Sequence, residues 1–528
     1  MNSIDLSLGL RLGLGRQALP SFDRFVSPGA TGGGDGSYGN PWLPSEFTAA
    51  SNGLTTGSRI GIKGGTDTGG LINPQLLKAS GATGFYFGAY GGGNKPILRC
   101  DAPITGGWVD QGSNVWRVAV TYVSASTSHS GNVFRDGLPM ILVQATVNLV
   151  ASGQACNLDW GWNGSTPNAV TSGFIYIYST VDPATDGHTY SYSKYPNGIE
   201  VGGDDVVIED IEFRGALHKG GNFHVDGRRV AIRRLVSRHG SSHSGYVGPD
   251  PMAEDCLFFG GRNRQATSGS GDHLVSNTTV FGGSDTSILR QCTFDGALDE
   301  YAAAGMALDP SADNVGGFQS HDSGSGTLAS VTFENCTFRD GSLGFNSGAA
   351  IVTMTSPICA SAKALIGEQN RAATYNITGA TGTVGMILST NASTGPQTLN
   401  TTDCDLDIDG SLHGVATKAA VRSANSGLTF NHNRLRDHIT MTGASGTRCL
   451  DNVRKGTIKT NNCLFDGTLT HHDLLAQFAA GTDAVVDPAS DNNTYKTGIG
   501  WVIDNVTYAS LAALKAAVAP AEANSVAV

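Results

Sequence analysis

This 528-residue chain contains few charged residues and few helix-forming residues away from its C-terminus. Charged residues make up 15% of the chain, against about 25% in an average globular protein, and hydrophobic residues make up 39%. A chain this apolar and this weakly charged is not intrinsically disordered. Because the sequence also lacks any run of about 18 apolar residues, we predict no transmembrane helix and no membrane insertion.

The N-terminus lacks the features of a secretory signal. Met1–Gly15 contains an early Asp5, and Arg11 and several glycines interrupt its apolar positions. We therefore expect the protein not to leave a cell by the usual export route. Leucines alternate with small or polar residues from Leu6 to Leu14, which indicates a strand or an extended docking peptide, with a frayed tail as the alternative.

Positive charge is scarce and glycine is abundant. The 34 Lys and Arg residues against 45 Asp and Glu residues give a net charge of −11, so we expect no nucleic-acid partner. The 72 glycines have no three-residue period, which excludes collagen, and together with frequent Ser, Thr, Asn and Asp they predict an all-β fold with many turns. Since single cores rarely exceed about 250–300 residues, several domains or an elongated repeat fold are expected.

Segments of one form recur between residues 206 and 467: apolar-x-apolar-x-(Asn/Asp)-(Cys/Ile)-x-(Phe/Leu)-x-(Asp/Gly)-Gly. The copies are Val206–Gly215, Ala253–Gly260, Ile288–Gly296, Val331–Gly341, Thr401–Gly410 and Ile458–Gly467, with looser copies at Val230–Gly240 and Leu428–Asp437. Ile211 and Leu235 are 24 residues apart, and Leu235 and Cys256 are 21 apart. We interpret the 44 residues from Cys292 to Cys336 as two coils of 22, and the 68 residues to Cys404 as three coils.

Such a period predicts a solenoid, and its strand–turn–strand units predict a parallel β-helix. The nine cysteines are odd in number and contain no CxxC pair, so neither a zinc site nor a disulfide scaffold is predicted. Five of them are instead expected to form an interior ladder of small buried residues: Cys256, Cys292, Cys336, Cys404 and Cys463. The Asn or Asp that precedes four of these cysteines is expected at a bend with left-handed backbone geometry, and Cys292 follows Gln291.

A second set of motifs covers the rest of the chain in a fixed order. The motifs are Phe25–Trp42 (FVSPGATGGGDGSYGNPW), Arg59–Gly64, Tyr90–Ile97, Asn114–Arg117 (NVWR), Arg135–Pro139 (RDGLP) and, at the end, Trp501–Val526. In this order they resemble the right-handed parallel β-helix family of carbohydrate-active proteins, which includes polysaccharide lyases and phage tail spikes. The resemblance is specific for the fold and weak for the activity, because this fold hosts many functions.

The resemblance implies a division of the chain into four parts. These are an N-terminal attachment peptide (1–24), an N-terminal β-rich cap region leading into the solenoid (25–200), the right-handed parallel β-helix (201–476) and a C-terminal cap (477–528). A short helix is expected in this last part, at Leu511–Val518.

Carboxylates and histidines near the repeats are candidate catalytic residues. They are Asp272, His273, Asp299, Glu300, His321 and Asp322. The spacings of 27 residues from Asp272 to Asp299 and 23 from Asp299 to Asp322 are each about one coil, so these side chains would line one groove. Paired carboxylates suit glycoside hydrolysis, and a base beside a cation suits lyase chemistry on uronic acids. The alternative is that they cap turns.

Candidate substrate-binding residues come from two other segments. Arg238, His239 and His243 end the densest basic stretch of the chain and could hold an anionic sugar, although a solvated arginine face is the favoured alternative for this stretch. Trp160 and Trp162 could stack on sugar rings or pack at a domain junction. The alternating aspartates of Asp403–Asp409 lie on one strand face and supply too few ligands for calcium, so no metal and no cofactor is predicted.

These observations favour one function over two others. The preferred hypothesis is a homotrimeric phage tail spike on the virion that binds and depolymerises a bacterial surface polysaccharide (capsule, O-antigen or exopolysaccharide) and joins tail or baseplate proteins through its N-terminus. The alternatives are a secreted monomeric polysaccharide lyase or glycoside hydrolase, and a non-catalytic β-helical fibre or adhesin.

Overall fold

The structure is a computed structural model. It describes residues 21–50, 53–67, 83–122, 131–143, 146–157, 172–217, 221–240, 243–260, 269–277, 285–303, 313–321, 328–346, 349–367, 373–390, 397–409, 412, 419–423, 428–433, 436–439, 447–451, 455–461, 464–467, 472–473, 483–486, 488–495, 501–503 and 506–528. Residues 1–20 of the predicted attachment peptide (1–24) lie outside the described residues.

Three long parallel sheets form the body of the molecule, and from residue 199 each described turn of the chain up to His472–Asp473 contributes one strand to each sheet. The strands of the first sheet are Arg24–Val26, Arg59–Lys63, Tyr86–Tyr90, Val207–Glu209, Ala231–Arg233, Met252–Glu254, Thr286–Arg290, Leu328–Glu334, Ala349–Thr355, Ala373–Thr378, Gln397–Thr402, Leu428–Asn433, Lys455–Asn461 and Asp483–Val486. Those of the second sheet are Ile97–Arg99, Glu212–Arg214, Val236–Arg238, Leu257–Phe259, Thr293–Asp295, Thr337–Arg339, Ile358–Ala362, Thr381–Val384, Asp405–Ile408, Arg436–Ile439, Leu464–Gly467, Thr494–Tyr495 and Val526–Ala527. Those of the third sheet are Ile199–Val201, Phe223–Val225, His243–Val247, Gly269–Asn277, Asp313–His321, Ser342–Asn346, Ala364–Gly367, Leu388–Thr390, Ala419–Ser423, Thr447–Asp451 and His472–Asp473. The predicted parallel β-helix is confirmed.

Like residues stack on like residues inside the helix. The rings of Phe258, Phe294 and Phe338 are parallel on consecutive strands of the second sheet, with centroids 5.3 and 5.5 Å apart. The cysteine ladder is confirmed for its four described members, which are buried free thiols: Cys256, Cys292, Cys336 and Cys404. Burial raises the pKa of the Cys292 thiol. Cys463 lies outside the described residues.

The residue before each cysteine turns the chain from the first sheet to the second. Asp255, Asn335 and Asp403 have φ values of 52°, 52° and 53°, the left-handed geometry that Asn and Asp tolerate best among residues with a side chain. The predicted bend is confirmed. Because the bend repeats on stacked coils, it sets the angle between the two sheets along the molecule.

One predicted coil count is wrong. Thr293 pairs directly with Thr337, so the 44 residues from Cys292 to Cys336 form one coil and not two of 22. The extra length lies between the second and third sheets, where the chain forms the helix Leu298–Ala303 before it enters Asp313–His321. From Cys336 to Cys404 the three predicted coils are present.

The parallel stack extends beyond the segment 201–476 in both directions. It begins at Arg24–Val26, and the strands from Asp483 to Val486 and beyond also join it. Residues 101–193 leave the stack as a mostly antiparallel insert with its own apolar core. Its strands are Asp101–Ile104, Val109–Asp110, Val115–Thr121, Val133–Arg135, Leu138–Pro139, Ile141–Leu142, Gln154–Asn157, Ser172–Tyr178 and Tyr190–Ser193, with a 3-10 helix at Thr146–Asn148.

Short helices and one hairpin complete the chain. A helix at Pro44–Ala50 follows the first strand, and the predicted helix at Leu511–Val518 is confirmed. The hydroxyl of Ser510 caps this C-terminal helix by accepting a hydrogen bond from the backbone N–H of Ala513. Trp501–Ile503 and Val506–Tyr508 form a two-stranded antiparallel sheet before it. Within the described residues, the helices are all too short to cross a bilayer.

Candidate active site

The functional groups of the site lie along one side of the second sheet, at the C-terminal ends of its strands. Consecutive strands place one outward residue each at this edge, and the residues are Arg99, Arg214, Arg238, Phe259, Asp295 and Arg339. We call this row, together with the residue that follows each of its members in sequence, the second-sheet edge. Parallel strands lie about 4.8 Å apart, so Arg238 and Asp295, two strands apart, are separated by about 10 Å along the axis.

Two carboxyl groups meet at this edge. Asp295, with 5% of its surface exposed, lies beside Asp340, within hydrogen-bonding reach when one of the two is protonated, and accepts a 2.8 Å hydrogen bond from the backbone N–H of Ala297. Asp340 follows Arg339 in left-handed geometry, with φ of 50°, and its backbone N–H donates to the carbonyl of Ala360. The Arg339 Nη1 lies 3.8 Å from the Asp295 Oδ2.

The surroundings of Asp340 favour its protonated form. Burial and the negative charges of Asp295 and Asp299 raise the pKa of Asp340 to about 6, and the guanidinium of Arg339 offsets part of this rise. Two carboxyl groups in contact share a proton because both cannot ionise easily. Up to a pH of about 6, Asp340 therefore holds the proton that a general acid needs.

Asp299 and Glu300 lie in the first turn of the helix Leu298–Ala303, and both are exposed. The structure brings Asp299 close enough to Asp340 to affect its pKa, while the described contacts do not place Glu300 there. Among the residues that the structure describes, no three His, Cys, Asp or Glu side chains are arranged to hold a metal ion. Asp295, Asp299 and Asp340 form a carboxyl cluster in which Asp299 is exposed to solvent and Asp340 is partly exposed.

Arg238 and Phe259 form the neighbouring part of the edge. The Arg238 guanidinium lies over the Phe259 ring at 4.9 Å, and its Nε is 3.4 Å from Glu212 Oε1. Leu138, from the insert, packs against Phe259, so the predicted Arg135–Pro139 hairpin forms a wall beside the edge. With 29% of its side chain exposed, Arg238 can reach a bound ligand.

The two histidines predicted beside Arg238 are buried, each with 5% of its surface exposed. The His239 ring contacts Phe259 at 5.3 Å and Phe134 at 6.4 Å, and Asn132 donates a hydrogen bond to the His239 carbonyl. In this conformation His239 supports the Phe259 ring and does not face a polymer. His243 begins a strand of the third sheet and is covered as well.

The remaining predicted catalytic residues belong to the third sheet. Asp272 pairs in register with His243 on one side and with Gly316 on the other, and His321 pairs with Asn277. The coil from Asp272 to Gly316 is 44 residues long, so the 27- and 23-residue spacings do not align Asp272 with Asp299. His273 follows Asp272 in the same strand. Asp322, Trp160 and Trp162 lie outside the described residues. A catalytic or binding role for these residues stays a prediction.

The favoured interpretation of the basic stretch as an outward, solvated face is confirmed for four arginines. Arg228 pairs with Asp250 and Asp285, Arg229 with Asp204 and Asp205, Arg233 with Glu209 and Glu254, and Arg234 with Glu209 and Asp210. Most of these acids lie on adjacent coils, so the arginines connect one coil to the next.

The sequence contained a signal for Asp295 and Asp340 that spacing alone did not use. Both end a copy of the repeat, Cys292–Gly296 (CTFDG) and Cys336–Gly341 (CTFRDG). The second copy carries one extra residue, and this insertion places Asp340 on the turn beside Asp295.

Comparison with known proteins returns matches of fold only. No family model matches the chain, and no curated protein matches it. A solved structure of XylC in complex with xylose is 9% identical and covers 90% of this chain and 84% of its own, with a TM-score of 0.46. PfbA, a surface adhesin of Streptococcus pneumoniae, is 10% identical, with coverages of 88% and 89% and a TM-score of 0.32. A tailspike protein of a Pseudomonas phage is 11% identical, with coverages of 85% and 77% and a TM-score of 0.25. The functional assignment therefore rests on the residues above.

Proposed function

We propose that this protein binds an extended polysaccharide along the second-sheet edge and cleaves it by glycoside hydrolysis, with Asp340 as the general acid. The observation that carries the proposal is the part-buried Asp340 carboxyl beside Asp295 and Asp299, where burial and the two neighbouring negative charges raise the pKa of Asp340 to about 6. A carboxylic acid with a raised pKa is what glycosidases use as the general acid, and their second carboxylate lies apart from it, the part that the exposed Asp299 would play here.

In this mechanism, Asp340 donates its proton to the glycosidic oxygen as the bond to the anomeric carbon breaks. Asp295 remains in contact with the Asp340 carboxylate, and Arg339 stabilises the negative charge left on the pair. The exposed Asp299 acts as the second carboxylate, either on water or on the anomeric carbon. Water completes the reaction, and its proton restores Asp340.

The charge of the edge supports a polysaccharide with acidic groups. Arg99, Arg214 and Arg238 follow one another on paired strands, with 30%, 42% and 29% of their side chains exposed. Each already contacts an acid, Asp101 or Glu212, so the row presents partly neutralised guanidinium groups. Such groups can hold a sugar carboxylate or sulfate through two hydrogen bonds each.

At a finer level we propose that the protein is a virion tail spike that acts on a bacterial surface polysaccharide and assembles as a homotrimer. The sequence resemblance supports this role. Ile351 and Ile358, two aliphatic residues with 45% and 48% of their surface exposed on the first and second sheets, are the candidates for a contact between chains.

The proposal is tested with a panel of purified bacterial capsular, O-antigen and exopolysaccharides. We expect the Asp340→Asn protein to bind the polysaccharide that the wild type shortens but to release reducing ends at least 100-fold more slowly, in the range lost with a general acid, about 10²–10⁴. Asp405→Asn is the matched control, because Asp405 is an exposed aspartate at the start of a second-sheet strand, at the end of the strand away from the second-sheet edge.

Three outcomes would contradict the proposal. Undiminished cleavage by Asp340→Asn would exclude Asp340 as the acid. Unsaturated sugars at the new ends would replace hydrolysis by lyase chemistry. Binding without shortening in the wild type would leave a non-catalytic adhesin or fibre.

A further inference from the structure

A cleft lined by aromatic rings lies at the N-terminal end of the stack. Phe22, Phe25, Tyr38 and Tyr90 line it, together with three consecutive glycines, Gly91–Gly93, and its volume is about 1020 Å³. The Phe25 ring is 5.0 Å from Tyr90 and 5.3 Å from Tyr38. Tyr38 has 71% of its surface exposed, the largest value among the exposed apolar and aromatic side chains on the described stack.

The rings form a built arrangement. Phe25 and Tyr90 come from strands of the first sheet, and Gly61 on the strand between them has no side chain. A Cβ at Gly61 would lie 3.0 Å from both the Phe22 ring and the Tyr90 ring. The glycine therefore gives these rings the space in which they pack, and Tyr38 lies over them at the mouth of the cleft.

The rim of the cleft is polar. Asn94, Lys95 and Asp210 supply an amide, an ammonium and a carboxylate, and Asn94 is exposed. Aromatic faces with a few polar groups at one edge fit a ligand that has both C–H surfaces and hydroxyl groups. A sugar ring has both, whereas an apolar peptide would make no use of Asn94 and Lys95; the Asp210 carboxylate beside them already accepts hydrogen bonds from Arg234.

The position of the cleft relates it to the second-sheet edge. Asp210 lies at the bend where the chain enters a strand of the second sheet, and Asp340 lies where the chain leaves a later strand of that sheet. From Ile97–Arg99, the strand after the cleft, four strand-to-strand steps lead to Thr293–Asp295. At about 4.8 Å per step this is about 19 Å along the axis. The exposed arginines of the edge lie on the way.

We propose that this aromatic cleft is a second saccharide-binding site, which retains the polymer while the second-sheet edge cleaves it. The inference rests on the proposed function for its substrate class, a polysaccharide long enough to reach both places. Short oligosaccharides cannot occupy both, so the cleft affects binding of the polymer and not the chemistry of cleavage.

The test compares Tyr38→Ala and Tyr38→Phe in an Asp340→Asn background, using the panel of bacterial polysaccharides and oligosaccharides cut from them. We expect Tyr38→Ala to weaken binding of the polymer about tenfold, as the loss of one aromatic contact would, and Tyr38→Phe to bind as tightly as the parent. Binding of the short oligosaccharides at the second-sheet edge should not change, because Tyr38 belongs to the cleft. Phe174→Ala is the control, because Phe174 is an exposed aromatic residue on the insert.

The outcomes separate this inference from the proposed function. Polymer binding that is unchanged in Tyr38→Ala, while the protein with Asp340 intact cleaves the polymer, overturns the cleft and leaves the cleavage proposal standing. Weakened binding with no cleavage by the wild type supports the cleft and overturns the cleavage. A Tyr38→Ala protein that changes its oligomeric state, with glycan binding unchanged, shows that a second copy of the chain occupies the cleft and overturns the inference.

Discussion

At the scale of single residues, opposing charges set the proton affinity of Asp340. Burial and two neighbouring carboxylates favour the protonated form, and one guanidinium favours the ionised form. Since the pKa is raised, ionising Asp340 costs the folded protein stability: this contribution is present below pH 3.8 and is lost as the pH rises to about 6. Ionisation of Asp340, the proposed general acid, therefore lowers the free energy of unfolding.

Two substitutions should move this pKa in opposite directions. Asp299→Asn removes a negative charge and should lower the pKa of Asp340, and Arg339→Gln removes a positive charge and should raise it, each by about one pH unit. Carboxyl-carbon NMR titration of ¹³C-aspartate-labelled protein measures both shifts without any substrate. Asp405→Asn should leave the titration unchanged. Shifts of the same sign would refute the charge assignment.

At the scale of structural elements, the left-handed bends carry the repeat. Asn335 has φ of 52° and connects a strand of the first sheet to the Cys336 rung. We expect Asn335→Val to lower the free energy of unfolding by about 1–2 kcal/mol, because a β-branched side chain clashes in this geometry, and Asn335→Gly to cost much less. Chemical denaturation of the two variants measures the difference. Equal stability of the two variants would argue against a conformational role of the bend.

The elements that the sequence predicted are those that repeat. Alternating apolar positions, the Asn or Asp bend and the cysteine ladder depend on local chemistry that is the same on each coil, so they could be found without an alignment. The length of a coil was harder to predict. A loop such as the one containing Leu298–Ala303 adds residues to a coil without changing its strands, and it turned one 44-residue coil into an apparent pair. The carboxyl pair was missed for the same reason, since its partners depend on the register of strands across that loop.

At the scale of the whole molecule, the proposed homotrimer requires a contact surface between chains, and two exposed aliphatic residues on the stack are the candidates for it. Ile351 and Ile358 lie on two successive strands, one in the first sheet and one in the second, and nearly half of the surface of each is exposed. We expect light scattering to give a molar mass near three times 54.6 kDa, and Ile351→Lys with Ile358→Lys to reduce it. A monomer at all concentrations would contradict the trimer and the proposed virion role, and would favour a free enzyme.

The central claim is that Asp340, on the second-sheet edge, donates the proton that lets the protein cleave a polysaccharide. The most direct measurement is the pH dependence of kcat/KM for polymer shortening by the wild type and by Arg339→Gln. We predict that the wild-type rate falls as the pH rises through about 6, because Asp340 loses its proton, and that the fall moves to higher pH in Arg339→Gln. A wild-type rate that is flat or rises through this range would contradict the account.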